Sequence, residues 1–111
     1  MRITVFKEHA RDEIRVDALA KQLKSEHGVV WVDMRGPSEQ GLKVLRNTFK
    51  FHPLAIEDTH NQKQRPKAEE FSDHLFIILN PITADSADDL FRELDVFVGN
   101  NYVVSVHADH E

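Results

Sequence analysis

Polar and apolar residues alternate from Arg2 to Phe6, with Ile3 and Val5 on one side, the period of a short strand near a sheet edge. Lys7 to Arg15 lacks that period and reads as a polar connection. From Asp17, a residue type that caps helices, Leu19, Ala20 and Leu23 recur on one helical face until Gly28 supplies a stop. The β-branched run Val29 to Val32, with Trp31 inside it, predicts a buried strand that turns at Gly36-Pro37. Ser38 is placed to cap a second helix, with Leu42, Leu45 and Phe49 on one face and Lys43, Arg46 and Asn47 on the other. Gly41 in its first turn is unfavourable by about 1 kcal/mol relative to alanine.

The next stretch, Phe51 to Phe71, is the most distinctive in the chain. Pro53 suits the first position of a third helix, because its missing N–H would have no partner there, and Leu54, Ala55 and Ile56 follow it. Glu57 and Asp58 fall one turn later. A bend from Thr59 to Gln64 leads to Arg65-Pro66, where the proline biases Arg65 toward extended geometry and a strand runs from Lys67 to Phe71. After a turn at Ser72-Asp73, the unbroken apolar run Leu75 to Leu79 predicts a central strand covered on both faces. Pro81 ends it, and Thr83 to Asp89 is an acidic loop. Leu94, Val96 and Val98 then alternate against Glu93, Asp95 and Phe97. Gly99-Asn100 has the form of a two-residue hairpin turn, from which Tyr102 to Val106 returns antiparallel. The predicted order is β-α-β-α-α-β-β-β-β. That is an α/β protein of the α+β type, a mixed β-sheet flanked by helices, in a single domain over residues 1–111.

Composition narrows the function classes. The chain has no cysteine, so thiolate zinc sites and disulfides are excluded. A net charge of −5 speaks against a nucleic-acid partner and for a surface that attracts cations. No stretch approaches the roughly 20 apolar residues that span a bilayer. The glycines are scattered singly, so there is no phosphate-cradling loop and no organic cofactor is expected; no nucleophile elbow is present, and an enzyme is the least expected class. Ser72 and Ser105 are read as solvated or bonded to backbone.

The histidines come from different elements and lack metal-site spacing; His52, beside Pro53, is read as bonding at a helix start. Glu57 and Asp58 are hard oxygen ligands with no thiolate nearby, the ligand chemistry of Mg2+ rather than of zinc. Mg2+ keeps several of its waters, so one or two carboxylates from this chain need a second protein group, which places any such site at an interface. Arg65 is expected to pair with Asp58 or Glu69, holding the bend against the helix. Asp85, Asp88 and Asp89 lack the glycine and terminal glutamate of a calcium loop and read as solvated.

Three segments, VVWVDMRGPSEQ from Val29, FKFHPLAIEDTHNQKQRPKAEEFSDHLFIIL from Phe49 and ELDVFVGNNYVVSVH from Glu93, resemble the amino-terminal cytosolic domain of the CorA family of magnesium channels. The middle one, with His52-Pro53-Leu54, Glu57-Asp58 and Gln64-Arg65-Pro66-Lys67, is the most specific. The resemblance implies a mixed sheet between helical layers, in the sensor domain of a homopentameric channel at the cytoplasmic face of the inner membrane. In that family divalent ions between neighbouring cytosolic domains hold the pore closed. Asp58 and Glu57 match the acidic pair at those interface sites, which implies a regulatory Mg2+, weakly bound by the isolated domain, and other copies of the chain as partners.

The family's two membrane helices and its Gly-Met-Asn signature are absent, Met34 being followed by Arg35, so attachment to the membrane is expected only through further polypeptide. Two alternatives share the fold: the cytosolic domain of a zinc or other divalent-cation transporter of the same superfamily, and a stand-alone soluble adaptor.

Overall fold

The structure, a computed structural model, describes residues 1–25, 27–36, 38–61, 65–79 and 93–107. Pro37, the last part of the bend before Arg65, Pro81, the acidic loop with Asp85, Asp88 and Asp89, and His110 lie outside the described residues.

The alternation at Ile3 and Val5 forms β1 (Arg2–Lys7), with both side chains buried. The segment read as a polar connection is instead a second strand, β2 (Ala10–Ile14), antiparallel to β1 with Lys7 opposite Ala10. It escapes a periodicity reading because only Ile14 packs against the core. The strand is held by backbone pairing and by cross-strand charges such as Arg2–Glu13 at 2.7 Å. Such a charged edge discourages pairing with other chains.

Helix α1 (Val16–Lys24) starts one residue before Asp17, with Arg15 in the capping position, and buries Leu19. β3 (Val29–Arg35) follows, and its burial alternates: Val30, Val32 and Met34 are buried whereas Trp31 is 43 % exposed on the other face. α2 (Glu39–Lys43) is capped as expected, Gly41 donating its N–H to Ser38 Oγ at 3.1 Å. It then widens into a π turn over Val44–Thr48, closed by Phe49 N–H donating to the Val44 carbonyl at 3.1 Å. A residue at positive φ, Lys50 at 58°, turns the chain into α3 (Pro53–His60).

Three antiparallel strands and a return complete the sheet: β4 (Lys67–Glu70), β5 (Leu75–Leu79), β6 (Leu94–Val98) and β7 (Tyr102–His107). The order is β2-β1-β3-β7-β6-β5-β4, with β3 and β7 parallel and every other pair antiparallel. The sheet is therefore mixed, as expected. Its β6–β7 turn is one residue later than read, because Gly99 N–H donates to the Tyr102 carbonyl and leaves Asn100-Asn101 at the tip.

Two strand readings change. β5 is second from an edge rather than central, and it is covered on one face: Phe76 and Ile78 are fully buried, while Leu79 is 45 % exposed. In β6 the alternation runs opposite to the expected sense. Phe97, together with Asp95 and the preceding Glu93, points into the core, leaving Leu94, Val96 and Val98 half-buried. The aromatic decides it, since Phe97 stacks on Phe51 at 4.1 Å and meets Phe76 at 4.7 Å.

Leu19, Leu45, Ala55 and Ile56 share one core cluster with Val5, Val32, Val104 and Ile78. All described helices thus pack on one face of the sheet. A second helical layer is not seen among the described residues.

Candidate regulatory ion site on the third helix

Why α3 holds its residues in place is evident at its start. His52 Nδ1 accepts the Leu54 N–H at 3.1 Å, so this histidine is an N-cap, and Pro53 occupies the first helical position. The His52 ring also stacks on Phe71 at 4.6 Å, and Phe71 in turn on the buried His74 at 4.9 Å. One turn inward, Ala55, Ile56 and Thr59 are buried, and Thr59 Oγ1 donates to the Ala55 carbonyl at 3.0 Å. That stripe fixes the rotation of the helix. Glu57 and Asp58 must then leave on its outer side, about 100° apart as successive helical residues.

The structure separates the pair. Glu57 lines a cleft of about 390 Å3 between the π turn and α3, with Arg46 and His60 on its rim and Leu42, Phe51, Pro53 and Ile56 as its apolar lining. Asp58 turns toward the sheet edge. There its Oδ2 lies 2.6 Å from Lys67 Nζ, and Lys67 also reaches Glu69 Oε1 at 2.6 Å. The expected cation was Arg65; the strand register explains the substitution. Lys67 and Glu69 stand opposite Ile78 and Phe76, so both project to the helix side of β4, beside α3. The bond to Asp58, then that to Glu69, raises the Lys67 pKa, with partial burial acting the other way. Lys67 and Glu69 were legible as a same-face pair in an alternating strand, but the turn signal at Arg65-Pro66 drew attention to the wrong cation.

Glu57 faces the cleft while Asp58 and Glu69 are bridged by Lys67, so the three carboxylates do not form one donor set; taken singly, each is a hard oxygen ligand of the kind that Mg2+ takes. Among the described residues no group of three or more histidines, cysteines and carboxylates is placed to hold a metal.

A second polar cluster lies on the helix-free face. Trp31 Nε1 donates to Ser105 Oγ at 2.9 Å, Ser105 donates to Asp33 Oδ1 at 2.6 Å, and His107 Nε2 contacts the same oxygen at 2.7 Å. Ser105 is therefore held by side chains, and not by backbone or solvent as its sequence context implied. No described helix is long and apolar enough to cross a membrane.

Residues 26–111 match the model of a protein family described as CorA-like Mg2+ transporter protein. The putative metal ion transporter YfjQ of Bacillus subtilis is 37 % identical over 81 residues, which are 73 % of this chain and 24 % of that protein. Two solved structures from Methanocaldococcus jannaschii share the fold. The complete CorA magnesium transporter aligns with a TM-score of 0.72 at 14 % identity, covering 100 % of this chain and 33 % of that one. The soluble domain of CorA aligns at 0.61 and 17 % identity, covering 97 % and 41 %. The chain thus spans about a quarter of YfjQ and a third of the complete transporter.

Proposed function

Because this chain belongs to the family of CorA-like Mg2+ transporter proteins, we propose that it is the cytosolic sensing domain of a divalent-cation transporter, in which Asp58 helps hold a regulatory Mg2+ between neighbouring copies. The observation that carries the reading is the placement of Asp58. Its carboxylate is 23 % exposed, on the flank of a helix whose rotation is fixed from below, at the accessible edge of the sheet. A ligand that must meet a neighbour has to be rigid and reachable, and this one is both.

Mg2+ takes one or two carboxylates and keeps most of its waters, so one carboxylate from each of two copies completes a site that neither holds alone. Glu57, on the other flank, serves the same interface from the cleft side. An ion that binds the closed arrangement and not the open one stabilises it by mass action, and it relieves the repulsion between two anionic surfaces. A fall in cytosolic Mg2+ then loosens the interface. Opening of the pore is coupled to that loosening by the difference in ion affinity between the two arrangements. The assembly is a homopentamer at the cytoplasmic face of the inner membrane, with its membrane part in polypeptide outside these 111 residues.

Limited proteolysis of the full-length protein across a Mg2+ titration tests this. Wild type is expected to become protected as Mg2+ rises, and Asp58→Ala to lose that protection at low millimolar ion. Equal cleavage of both at every concentration would make the domain a scaffold, with sensing elsewhere.

A further inference from the structure

We infer that Lys67 is a tethered competitor for the regulatory ion, an internal cation that occupies Asp58 when no divalent ion is bound and so sets the concentration at which one enters. The inference rests on the reading of Asp58 as an ion ligand. Three observations carry it. The Lys67 ammonium sits 2.6 Å from Asp58 Oδ2, the position that a metal-bound water or the metal itself would contest. The same ammonium is 2.6 Å from Glu69 Oε1, on its own strand and two residues away, so it has a second carboxylate to withdraw to. And the lysine is part exposed, 37 %, on an edge strand, where its flexible stem is free to swing without disturbing the core.

Two states follow from this arrangement. In one, Lys67 bridges Asp58 and Glu69, neutralising part of the acidic edge and leaving it poor in negative charge. In the other, the divalent ion holds Asp58 and the ammonium rests on Glu69 alone. A divalent ion must displace a cation that is always at hand, so its apparent affinity is lowered by the fraction of time Lys67 is in place. A compact point charge on a four-carbon stem suits such exchange, whereas a guanidinium forks across a carboxylate and holds it.

The test uses the full-length protein and the Mg2+ midpoint for protection from limited proteolysis, with Mg2+ as its chloride and the ionic strength held constant. Lys67→Gln is expected to lower the midpoint by about fivefold, the upper range for a part-exposed ion pair. Lys67→Arg keeps the competing charge and is expected to leave the midpoint at or above that of wild type. Glu69→Gln removes the resting place and is expected to raise it. Thermal unfolding of each variant without Mg2+ confirms the fold, which an edge-strand side chain leaves intact. If Asp58→Ala abolishes protection while Lys67→Gln leaves the midpoint unchanged or raises it, Asp58 is a ligand and Lys67 is no competitor, which overturns the inference alone. If Asp58→Ala remains protected, the reading of Asp58 fails and the inference with it.

Discussion

Tyr102 shows how much one side chain can do at the junction of two strands. Its ring lies over Gly99, filling the space that a side chain there would need, and it meets Phe49 at 4.9 Å and Phe51 at 5.7 Å. Half-buried in that aromatic group, and with the Asp73 carboxylate adding a smaller like-charge effect, its phenol is pushed up to about 12 from 10.0. The unfolded chain therefore loses the proton first. Over that window the folded state binds more protons than the unfolded one, so stability falls as pH rises from about 10 toward about 12. Urea unfolding across the window is expected to show this alkaline loss in wild type and a shallower one in Tyr102→Phe, which cannot ionise. Identical slopes would mean that the phenol is solvated in the native state. None of this was legible in the hairpin signal itself. Gly99-Asn100 pointed to a turn, but the ring covering Gly99 and the pairing of Gly99 with Tyr102 place the tip one residue later.

Elements were legible where a single residue does a local job. Ser38 and Pro53 start helices because capping and a missing N–H act within one turn, and, the parallel pairing of β3 with β7 apart, each strand except β2 and β4 announced itself by apolar residues, β4 being read from the bend at Arg65-Pro66. What escaped needs the rest of the fold. β2 is held by its partner and not by its own burial, and the sense of β6 is decided by Phe51 and Phe76, residues far away in sequence. The candidate site followed the same rule: Asp58 was named from a local motif, and the cation it pairs with, Lys67, was missed because β4 is placed beside α3 only by the sheet. Gly28 belongs to this group as well. It was read as a helix stop, yet α1 ends at Lys24, and Gly28 sits beyond it at φ +95°. A Cβ there would lie 3.0 Å from the Phe6 carbonyl oxygen and 3.1 Å from Val5 Cγ1, so the α1–β3 connection is pressed against β1. Both the positive φ and a backbone atom that cannot swing aside oppose a side chain. Gly28→Ala is expected to cost about 1–3 kcal/mol in chemical denaturation; a loss below about 0.5 kcal/mol, the range of ordinary surface changes, would show that the connection yields freely.

At the scale of the molecule the described helices lie on one side of the sheet, and no described helix covers the other, which sets exposed apolar side chains beside the Trp31–Ser105–Asp33–His107 cluster. Phe6, Val29, Trp31 and Leu79 are all exposed there, at 38, 47, 43 and 45 %. Between them run Ile77, paired with Val96 across β5 and β6, and Val98, paired with Val103 across β6 and β7, all half-buried. Exposed apolar side chains grouped in this way are unusual on a free-standing domain. In the 111-residue polypeptide studied alone it has a measurable consequence. Ile77 stands next to Val96 on the uncovered face, whereas its neighbours Phe76 and Ile78 are fully buried beneath the helices. Lysine at 77 can therefore extend into water, and Ile77→Lys is expected to shift unfolding by no more than about 0.5 kcal/mol. The same change at 78 buries an unpaired ammonium and is expected to unfold the chain. Ile77→Lys should also reduce binding of a hydrophobic dye such as ANS by the wild-type polypeptide, and Trp31 should be readily quenched by acrylamide in both. A large loss of stability in Ile77→Lys, with Trp31 protected, would mean that this face is already buried in the 111-residue chain. Both outcomes bear on the proposed ion site, because β5 carries the helix-free face on one side and the register of Lys67 and Glu69 on its edge. An element packed on this face would therefore contact the strand whose register sets Lys67 beside Asp58.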